Sequence, residues 1–281
     1  MAKAAAVRAP GRAHLTVLLS LVAGAVLAAA PARAAEDCLL VTDLETGRVL
    51  AKQGLCATRH PPNSTFKVAL ALMGFDAGLL KSDSQPVIEP PPDADLSRPE
   101  TRGPQTPRSW MQNSVVWYSQ VLARQLGAER IAHYLKAFAY GSENIGGVKG
   151  DDEPLARFWI SSSLRLSPRE QIDFLRKMLK GELPVSADAV RETMRILALD
   201  AQPAGWLTFG KTGSGFGRTA EGAVDRGRPF GWFVGFAQKA GRTAVFVRYT
   251  ALDIPSPEPL GLVAKRQTLA ALVPVLGAQA P

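Results

Sequence analysis

The sequence has 281 residues, with 33 lysine and arginine residues against 25 aspartate and glutamate residues and only three histidines. This length suits one large domain or two ordinary ones, and 46% hydrophobic with 21% charged residues exclude wholesale disorder. Two cysteines are too few for a Cys-rich zinc cluster and three histidines too few for a multi-histidine metal site, so we expect no metal. If the protein is an enzyme, we expect lysine or carboxylate side chains to transfer its protons.

Residues 1–34 have the features of a secretory signal peptide. They carry four basic residues and no acidic one, an apolar run from Leu15 to Ala30, and an A-x-A cleavage site at Ala32–Ala34. The run is short for a membrane span, which disfavours the alternative of an uncleaved anchor. Removal of the leader leaves a net charge of +4 and no basic patch, so we expect a periplasmic protein that binds neither nucleic acid nor, once processed, membrane.

The first predicted elements are two strands, 38–44 and 48–53, joined by a turn at 45–48. In the register of this hairpin Cys38 and Cys56 lie opposite each other to within one residue. The sequence therefore predicts a disulfide, which suits export to an oxidising compartment. The alternative is that both cysteines are small buried apolar side chains.

The middle of the chain has helical patterns separated by polar loops at 81–109 and 141–153. Asn63 or Ser64 is suited to cap the first helix. Ser167 and Glu170 have the spacing of a capping box at the start of a later one. The predicted helices cover 64–79, 110–140 with a break at Gly127, a segment starting at Ser167, and 186–197.

After residue 200 the pattern changes to strands rich in aromatic and β-branched residues, followed by a helix at about 258–274. The predicted strands cover 206–213, 230–238 and 243–250, the last two joined by a tight turn at 239–242.

These elements predict an α+β fold, in which an antiparallel sheet with flanking N- and C-terminal helices lies beside an all-helical lobe. We expect residues 35–281 to form a single domain. Its sheet lobe would comprise about 35–62 and 200–281, and its helical lobe about 63–199.

The segment Ser64-Thr65-Phe66-Lys67 has the S-x-x-K spacing at the predicted start of a helix. Residues three apart share one helical face, and the backbone N–H of Ser64 is one of the free donors at a helix start. The apolar run after Lys67 predicts a buried amine with a lowered pKa. One turn could thus supply a nucleophile, its base and part of an oxyanion hole. The alternative is a capping serine beside a solvated lysine.

The segment Lys211-Thr212-Gly213 ends the first late strand. It offers a cation, a hydroxyl donor, and a glycine that lets a substrate approach the backbone. S-x-x-K followed by K-T-G, here with Ser64 and Lys211 147 residues apart, is the signature of the serine penicillin-recognising enzymes.

The sequence over residues 36–275 resembles the class D β-lactamases, or oxacillinases. Five segments carry the resemblance: Ser64–Lys67, Ser114-Val115-Val116, Tyr140-Gly141, Phe158-Trp159-Ile160 and Lys211–Gly213. The family usually reads Tyr-Gly-Asn, and Ser142 stands here in place of the asparagine.

The resemblance implies that β-lactams are hydrolysed through an acyl-serine formed on Ser64. In the family the lysine matched by Lys67 reacts with CO2 to become an N-carboxylated general base, so no cofactor beyond CO2 or bicarbonate is expected. Ser114 would relay protons, and Trp159 would donate its indole N–H to the carbamate.

The resemblance also implies a substrate-binding set. Val116 would line an apolar pocket, and a cation of the last helix would pair with the substrate carboxylate. Arg266 fits that cation best by spacing, with Lys265 as the competing residue. The residues expected to bind substrate are Val116, Tyr140, Lys211, Thr212, Gly213, Ser214 and Arg266, with the backbone N–H groups of Ser64 and Ser214 as oxyanion donors.

Two other functions share these motifs: a transpeptidase or carboxypeptidase acting on cell-wall peptides, and a penicillin-binding sensor that stays acylated. Both typically carry a membrane anchor or further domains, so we favour the hydrolase, with a small-molecule β-lactam as its partner. A third alternative is a catalytically inactive homologue.

We expect His60 and His133 to take no part in the chemistry, since the mechanism leaves them no task. The acidic residues Asp151, Asp152 and Glu153 are expected to form a solvated loop and not a metal site.

Overall fold

The computed structural model describes residues 1–6, 36–149 and 152–278. Most of the predicted signal peptide, its cleavage site and Asp151 lie outside these ranges. Within them the chain folds into an antiparallel sheet, a set of helices and short 3-10 turns.

One six-stranded antiparallel sheet has the strand order β2-β1-β6-β5-β4-β3. The strands are β1 (Glu36–Asp43), β2 (Val49–Gly54), β3 (Ala198–Leu199), β4 (Leu207–Arg218), β5 (Val224–Lys239) and β6 (Arg242–Ala251). Both predicted hairpins are present. The two-residue β3 is too short to show an alternating pattern in the sequence, and β4 and β5 extend beyond their predicted ends into a long hairpin.

The predicted disulfide between Cys38 and Cys56 is confirmed. Cys38 lies opposite Gly54 in the β1–β2 ladder, so Cys56 follows two residues after its strand has ended. Gly54 has a positive φ of 70°, a backbone conformation open to glycine, and the chain turns there so that Cys56 meets Cys38.

The described residues contain seven α-helices: α1 (Lys67–Asp76), α2 (Pro107–Gln112), α3 (Val116–Leu126), α4 (Ala128–Phe138), α5 (Pro168–Lys180), α6 (Ala187–Leu197) and α7 (Leu260–Gly277). The capping box of Ser167 and Glu170 is confirmed. The prediction of one helix from 110 to Gly127 was wrong, because Ser114, with φ 55°, interrupts it between α2 and α3.

The first helix begins differently from the prediction. Residues Asn63–Phe66 form a 3-10 turn, and α1 follows from Lys67 with no side-chain cap. Neither Asn63 nor Ser64 is a cap, because the Asn63 side chain bonds to two other segments, as described below. Every residue of α1 from Lys67 to Phe75 is buried, and α3 and α6 pack against it.

The last helix packs on the sheet against β4, β5 and β6. By length and composition alone α7 could cross a membrane. However, one side of this helix is buried, and the apolar side therefore faces protein. The buried residues recur every fourth position: Leu260, Ala264, Thr268, Leu272 and Leu276. The observed architecture is the predicted α+β arrangement.

Candidate active site

Ser64 and Lys67 lie together on the turn that enters α1. Ser64 is partly exposed, whereas only 1% of Lys67 is accessible. The Lys67 Nζ donates a hydrogen bond to the Ser64 Oγ at 3.3 Å. The lysine is buried as predicted, and the pair has the arrangement of a nucleophile and its base.

Burial lowers the pKa of Lys67 well below its usual value, and the neighbouring cations Lys211 and Arg98 lower it further. Burial together with the charges of Arg98 and Lys265 lowers the pKa of Lys211 to about 7. Burial and the neighbouring cations therefore favour the neutral form of the Lys67 amine beside the serine.

Strand β4 approaches the nucleophile turn through Gly213. A Cβ atom at this position would lie 2.8 Å from the Pro62 carbonyl oxygen and 3.2 Å from the Thr65 backbone nitrogen. Glycine is therefore required for this approach. Two positions earlier Lys211 is buried, with its Nζ donating to the Thr212 carbonyl oxygen at 3.0 Å.

The backbone of Ser214 points towards the nucleophile turn. Its carbonyl oxygen accepts a hydrogen bond from Asn63 Nδ2 at 2.6 Å, so it does not face the neighbouring strand β5. In an antiparallel ladder the N–H and C=O of one residue point to the same side. The Ser214 N–H therefore lies on the open edge of β4, where an oxyanion donor is needed.

Asn63 joins three segments of the site, and the sequence analysis missed this role. Its Oδ1 accepts from the Ser161 backbone N–H at 2.8 Å, and its Nδ2 donates to the Ser214 carbonyl. It is 4% exposed and has a positive φ of 47°. The one available signal was a polar residue directly before the S-x-x-K serine, which the sequence analysis assigned to capping.

Ser114 lies in the break between α2 and α3, and Val116 is the first residue of α3; both are partly exposed. Arg98, in the loop before α2, donates to the carbonyl oxygen of Asn113 at 2.7 Å. Arg98 also pairs with Glu100, and its charge acts on both Lys67 and Lys211. It is a second residue that the sequence analysis missed, because nothing in a polar, proline-rich loop indicated where it folds back.

Trp159 is almost fully buried, and its ring stacks on Phe66 with centroids 5.4 Å apart. Tyr140, which is expected from the sequence to bind substrate, lies in the core. Only 1% of Tyr140 is exposed, and its ring lies edge-on to Phe66 and Phe174. It supports the Phe66 side of the turn from within the core. Ser142 accepts from the Arg165 backbone N–H at 3.0 Å and so holds the loop after Trp159.

The structure separates Arg266 from the site. Its guanidinium pairs with Glu258, and 62% of its side chain is exposed. Gly261, in the first turn of α7, donates its backbone N–H to Ser214 Oγ at 2.9 Å. Residue 265 is one turn further on the same face, whereas residue 266 is rotated away. Accordingly Lys265 lines a small cavity of about 60 Å³ with Lys211 and Thr212.

The remaining singled-out residues lie elsewhere. His133 is exposed on α4, and His60 bonds to Glu36 in a separate cavity. Glu153 pairs with Arg124. Across the ranges that the structure describes, no group of three or more His, Cys, Asp or Glu side chains could hold a metal ion.

Comparisons with known proteins place this geometry in a family. Residues 15–258 match the penicillin-binding protein transpeptidase domain. The chain is 39% identical to β-lactamase OXA-9 of Klebsiella pneumoniae over 85% of its length and 88% of the relative's. It is 35% identical to β-lactamase OXA-1 of Escherichia coli, over 84% of each chain.

The crystal structure of the class D β-lactamase OXA-427 superimposes with a TM-score of 0.79 at 38% identity. The match covers 87% of this chain and all of the other. The same antiparallel sheet and helical lobe are therefore present in both. With its serine–lysine turn set against a K-T-G strand, and with these relatives, the chain belongs to the class D β-lactamases.

Proposed function

We propose that this enzyme hydrolyses β-lactams with N-carboxylated Lys67 as its general base. The observation that carries the proposal is a lysine 1% exposed, its Nζ 3.3 Å from the nucleophile Oγ. Its lowered pKa leaves the amine neutral, and only a neutral amine attacks CO2. The new N–C bond gives a carbamate anion with release of one proton. Trp159 would donate its indole N–H to this carbamate.

Acylation begins when the carbamate takes the Ser64 proton and Oγ attacks the lactam carbonyl carbon. The oxyanion is stabilised by the backbone N–H groups of Ser64 and Ser214. The lactam C–N bond then breaks, and Ser114 delivers its proton to the leaving nitrogen. The proton taken from Ser64 passes from the carbamate to Ser114, which restores both the serine and the carbamate base. Val116, two residues after Ser114 at the start of α3, lines the apolar side of this site.

Deacylation reuses the same base. The carbamate removes a proton from water, and the resulting hydroxide attacks the acyl carbon. The ester C–O bond breaks, Ser64 recovers its proton, and the ring-opened acid leaves. No group other than the carbamate and water is required for this second step.

The substrate carboxylate is held by Lys211, Thr212 and Lys265, with Gly213 giving the backbone access. Lys265 takes the role that the sequence analysis gave to Arg266, because Lys265 shares a cavity with Lys211 and Thr212 whereas Arg266 pairs with Glu258.

Activity is expected to fall as the pH is lowered, because protonation of Lys67 removes the amine that binds CO2. The pKa of this lysine is depressed in the folded state, so the neutral form is lost only as the pH falls through that lowered pKa. Added bicarbonate should restore turnover of nitrocefin at mildly acidic pH, and Lys67→Ala should show neither turnover nor a bicarbonate effect. Bicarbonate-independent turnover, or normal turnover by Lys67→Ala, contradicts the proposal.

The alternative is a penicillin-binding sensor or transpeptidase that is acylated without efficient turnover, and the match to the transpeptidase domain is the observation that favours it. Nitrocefin distinguishes the two. Repeated turnover supports the hydrolase, whereas one stoichiometric burst supports the alternative. Ser64→Ala should eliminate covalent labelling by penicillin in either case.

We further propose export to the periplasm. The disulfide between Cys38 and Cys56 fits an oxidising compartment, and the basic, apolar and small-residue segments of the first 34 residues have the order of a cleaved leader.

A further inference from the structure

A second cavity borders the segment before the nucleophile. Its volume is about 530 Å³, within the range of pockets that hold small organic ligands. Its walls come from the start of β1, from Pro61, from the loop after Trp159, from the β4–β5 hairpin and from the end of β6. The residues assigned above to the chemistry at Ser64 do not line it.

Three arginines line this cavity, and among the described residues none of them forms an ion pair. Arg218 donates to the carbonyl oxygens of Ser161 at 2.6 Å and of Gly222 at 2.5 Å. Within residues 36–149 and 152–278, neither Arg165 nor Arg228 has a carboxylate oxygen within 4.0 Å or a side-chain hydrogen bond. The cavity therefore has unneutralised positive charge on its wall.

Two carboxylates line the cavity, Glu36 and Asp253, and among the described residues neither forms an ion pair with Arg165 or Arg228. Glu36 Oε1 lies 3.0 Å from His60 Nε2, and the His60 ring stacks on Tyr249 with centroids 3.8 Å apart. Burial and Glu36 raise the pKa of the Tyr249 hydroxyl, whereas Arg165 and Arg228 oppose that shift. Both arginines thus act electrostatically on the same phenol, and the pKa of His60, which burial lowers, is lowered further by the charge of Arg165.

The cavity also has features that suit an organic ligand. Phe230 and Tyr249 line it side by side, with ring centroids 5.9 Å apart.

We propose that this cavity is a binding site for a small organic anion with two or more acid groups. Arg165 and Arg228 would each take an acid group in the paired geometry that a guanidinium offers to carboxylates and phosphates. The body of the ligand would lie against Phe230 and Tyr249. Such a molecule stabilises the folded protein because it binds the folded state alone.

The test is thermal unfolding of the protein in increasing citrate, with ionic strength held constant by sodium chloride. We expect a saturable rise in Tm on top of the linear rise that excluded salts such as citrate cause in any protein. Titration calorimetry should show the same saturation. Absence of a saturable component in the wild-type protein overturns the proposal.

Four variants locate the effect. Arg165→Gln and Arg228→Gln should each weaken citrate binding by about tenfold, the usual loss for a charged hydrogen bond. Arg226→Gln is the matched control on the same strand, because Arg226 lies over the Phe216 ring and does not line the cavity. Lys265→Gln is the control for binding at the substrate carboxylate site.

Both controls should bind citrate as the wild type does. An equal response in all four variants, or loss of the response in Lys265→Gln alone, contradicts the proposal. Arg228→Lys keeps the positive charge but loses the paired hydrogen bonds of the guanidinium, so it should also weaken binding. It replaces the glutamine variant in the experiment if that variant is unstable. The readouts are independent of β-lactam turnover, so they stand whether or not the proposed mechanism holds.

Discussion

At the scale of single residues, the reactive groups depend on burial. Lys67 would be an ordinary solvated cation on a surface helix, whereas at the buried start of α1 its pKa is well below the usual value and its amine faces Ser64. Lys211 is tuned in the same way, with a pKa of about 7. In the proposed mechanism buried Lys67 has the part that histidine takes in many other hydrolases, and His60 and His133 lie outside the site.

Lys265 and Arg266 give a direct test of which cation holds the substrate. Lys265→Gln should raise the KM for penicillins by about 10- to 100-fold, because a charge-assisted contact with the substrate carboxylate is lost. Arg266→Gln is the control, and its KM should stay within about twofold, since exposed pairs contribute little. Steady-state kinetics measure both. A larger effect from Arg266→Gln contradicts the assignment.

Asn63 is expected to act as a positioning residue. Asn63→Ala removes the amide that holds Ser161 and Ser214, so the Ser214 N–H should lose its alignment with the nucleophile. We expect the acylation rate constant, measured by stopped flow, to fall by about 10- to 100-fold. Ser161→Ala loses one long hydrogen bond of 3.4 Å and should acylate nearly normally.

A purely structural role for Asn63 would predict a different pattern. Stability would fall while acylation of the folded fraction stayed unchanged. Denaturant unfolding of Asn63→Ala, run beside the kinetics, separates these outcomes.

The residues of the site that the sequence predicted are those with a motif around them. Ser64, Lys67 and Lys211 belong to short fixed spacings, and the apolar run after Lys67 indicates burial. Asn63 precedes Ser64 in the chain, but its role depends on a bonding partner 151 positions away, and Arg98 reaches the site only through long-range folding. Local sequence patterns do not indicate contacts between distant parts of the chain. For the same reason, spacing along the last helix favoured Arg266, although Lys265 is the residue that lies beside Lys211.

At the scale of elements, the site depends on close approaches of backbone to backbone. The first turn of α7 lies against the sheet at Gly231, where a Cβ atom would come within 2.1 Å of the Leu260 carbonyl carbon. This contact places Gly261 beside Ser214 and Lys265 beside Lys211. The position of α7 therefore determines the carboxylate side of the cleft.

Gly231→Ala should displace α7 from the sheet. We expect the free energy of unfolding to fall by about 1–3 kcal/mol, the usual cost of overpacking, with a raised KM because Lys265 moves. Gly277→Ala is the matched control at the other end of the helix, where a Cβ meets nothing within 4 Å. It should be neutral or stabilising by up to about 1 kcal/mol. Similar losses in both variants contradict this explanation.

Most helices and strands were predictable because each shows the period of apolar residues typical of its type, and some helices also show capping residues. The capping box at Ser167 gives the start of α5 directly, and the aromatic strands of the last third form the predicted hairpin. The break at Ser114 was not predictable, because its positive φ interrupts a segment whose pattern on both sides is helical.

At the scale of the whole molecule, the sheet joins the two ends of the domain. β1 pairs with β6, and the N-terminal hairpin is connected to the rest of the sheet through that ladder. The catalytic groups lie at the other side of β5, on β4 and α1. The disulfide holds the outer edge of the sheet, away from the chemistry.

Loss of the disulfide should therefore affect stability and leave the chemistry intact. Cys38→Ala/Cys56→Ala should lower the free energy of unfolding by about 3 kcal/mol, the entropy expected for a loop of this length. At 25 °C its kcat for nitrocefin should equal that of the oxidised protein. The wild-type protein reduced with dithiothreitol should match the variant in denaturant unfolding. A loss of kcat in the folded variant would contradict the conclusion that the disulfide at the sheet edge does not affect the active site.

The order of the strands has a consequence for the newly made chain. Ser64 and Lys67 emerge early in synthesis, whereas Lys211 and its strand follow 147 positions behind Ser64, and β6 must still insert between β1 and β5. A growing chain thus carries a serine that has no opposing strand and no oxyanion donor from Ser214. Antibiotic can acylate only a molecule whose last third has been made and folded, so an unfinished copy is never trapped as a dead adduct.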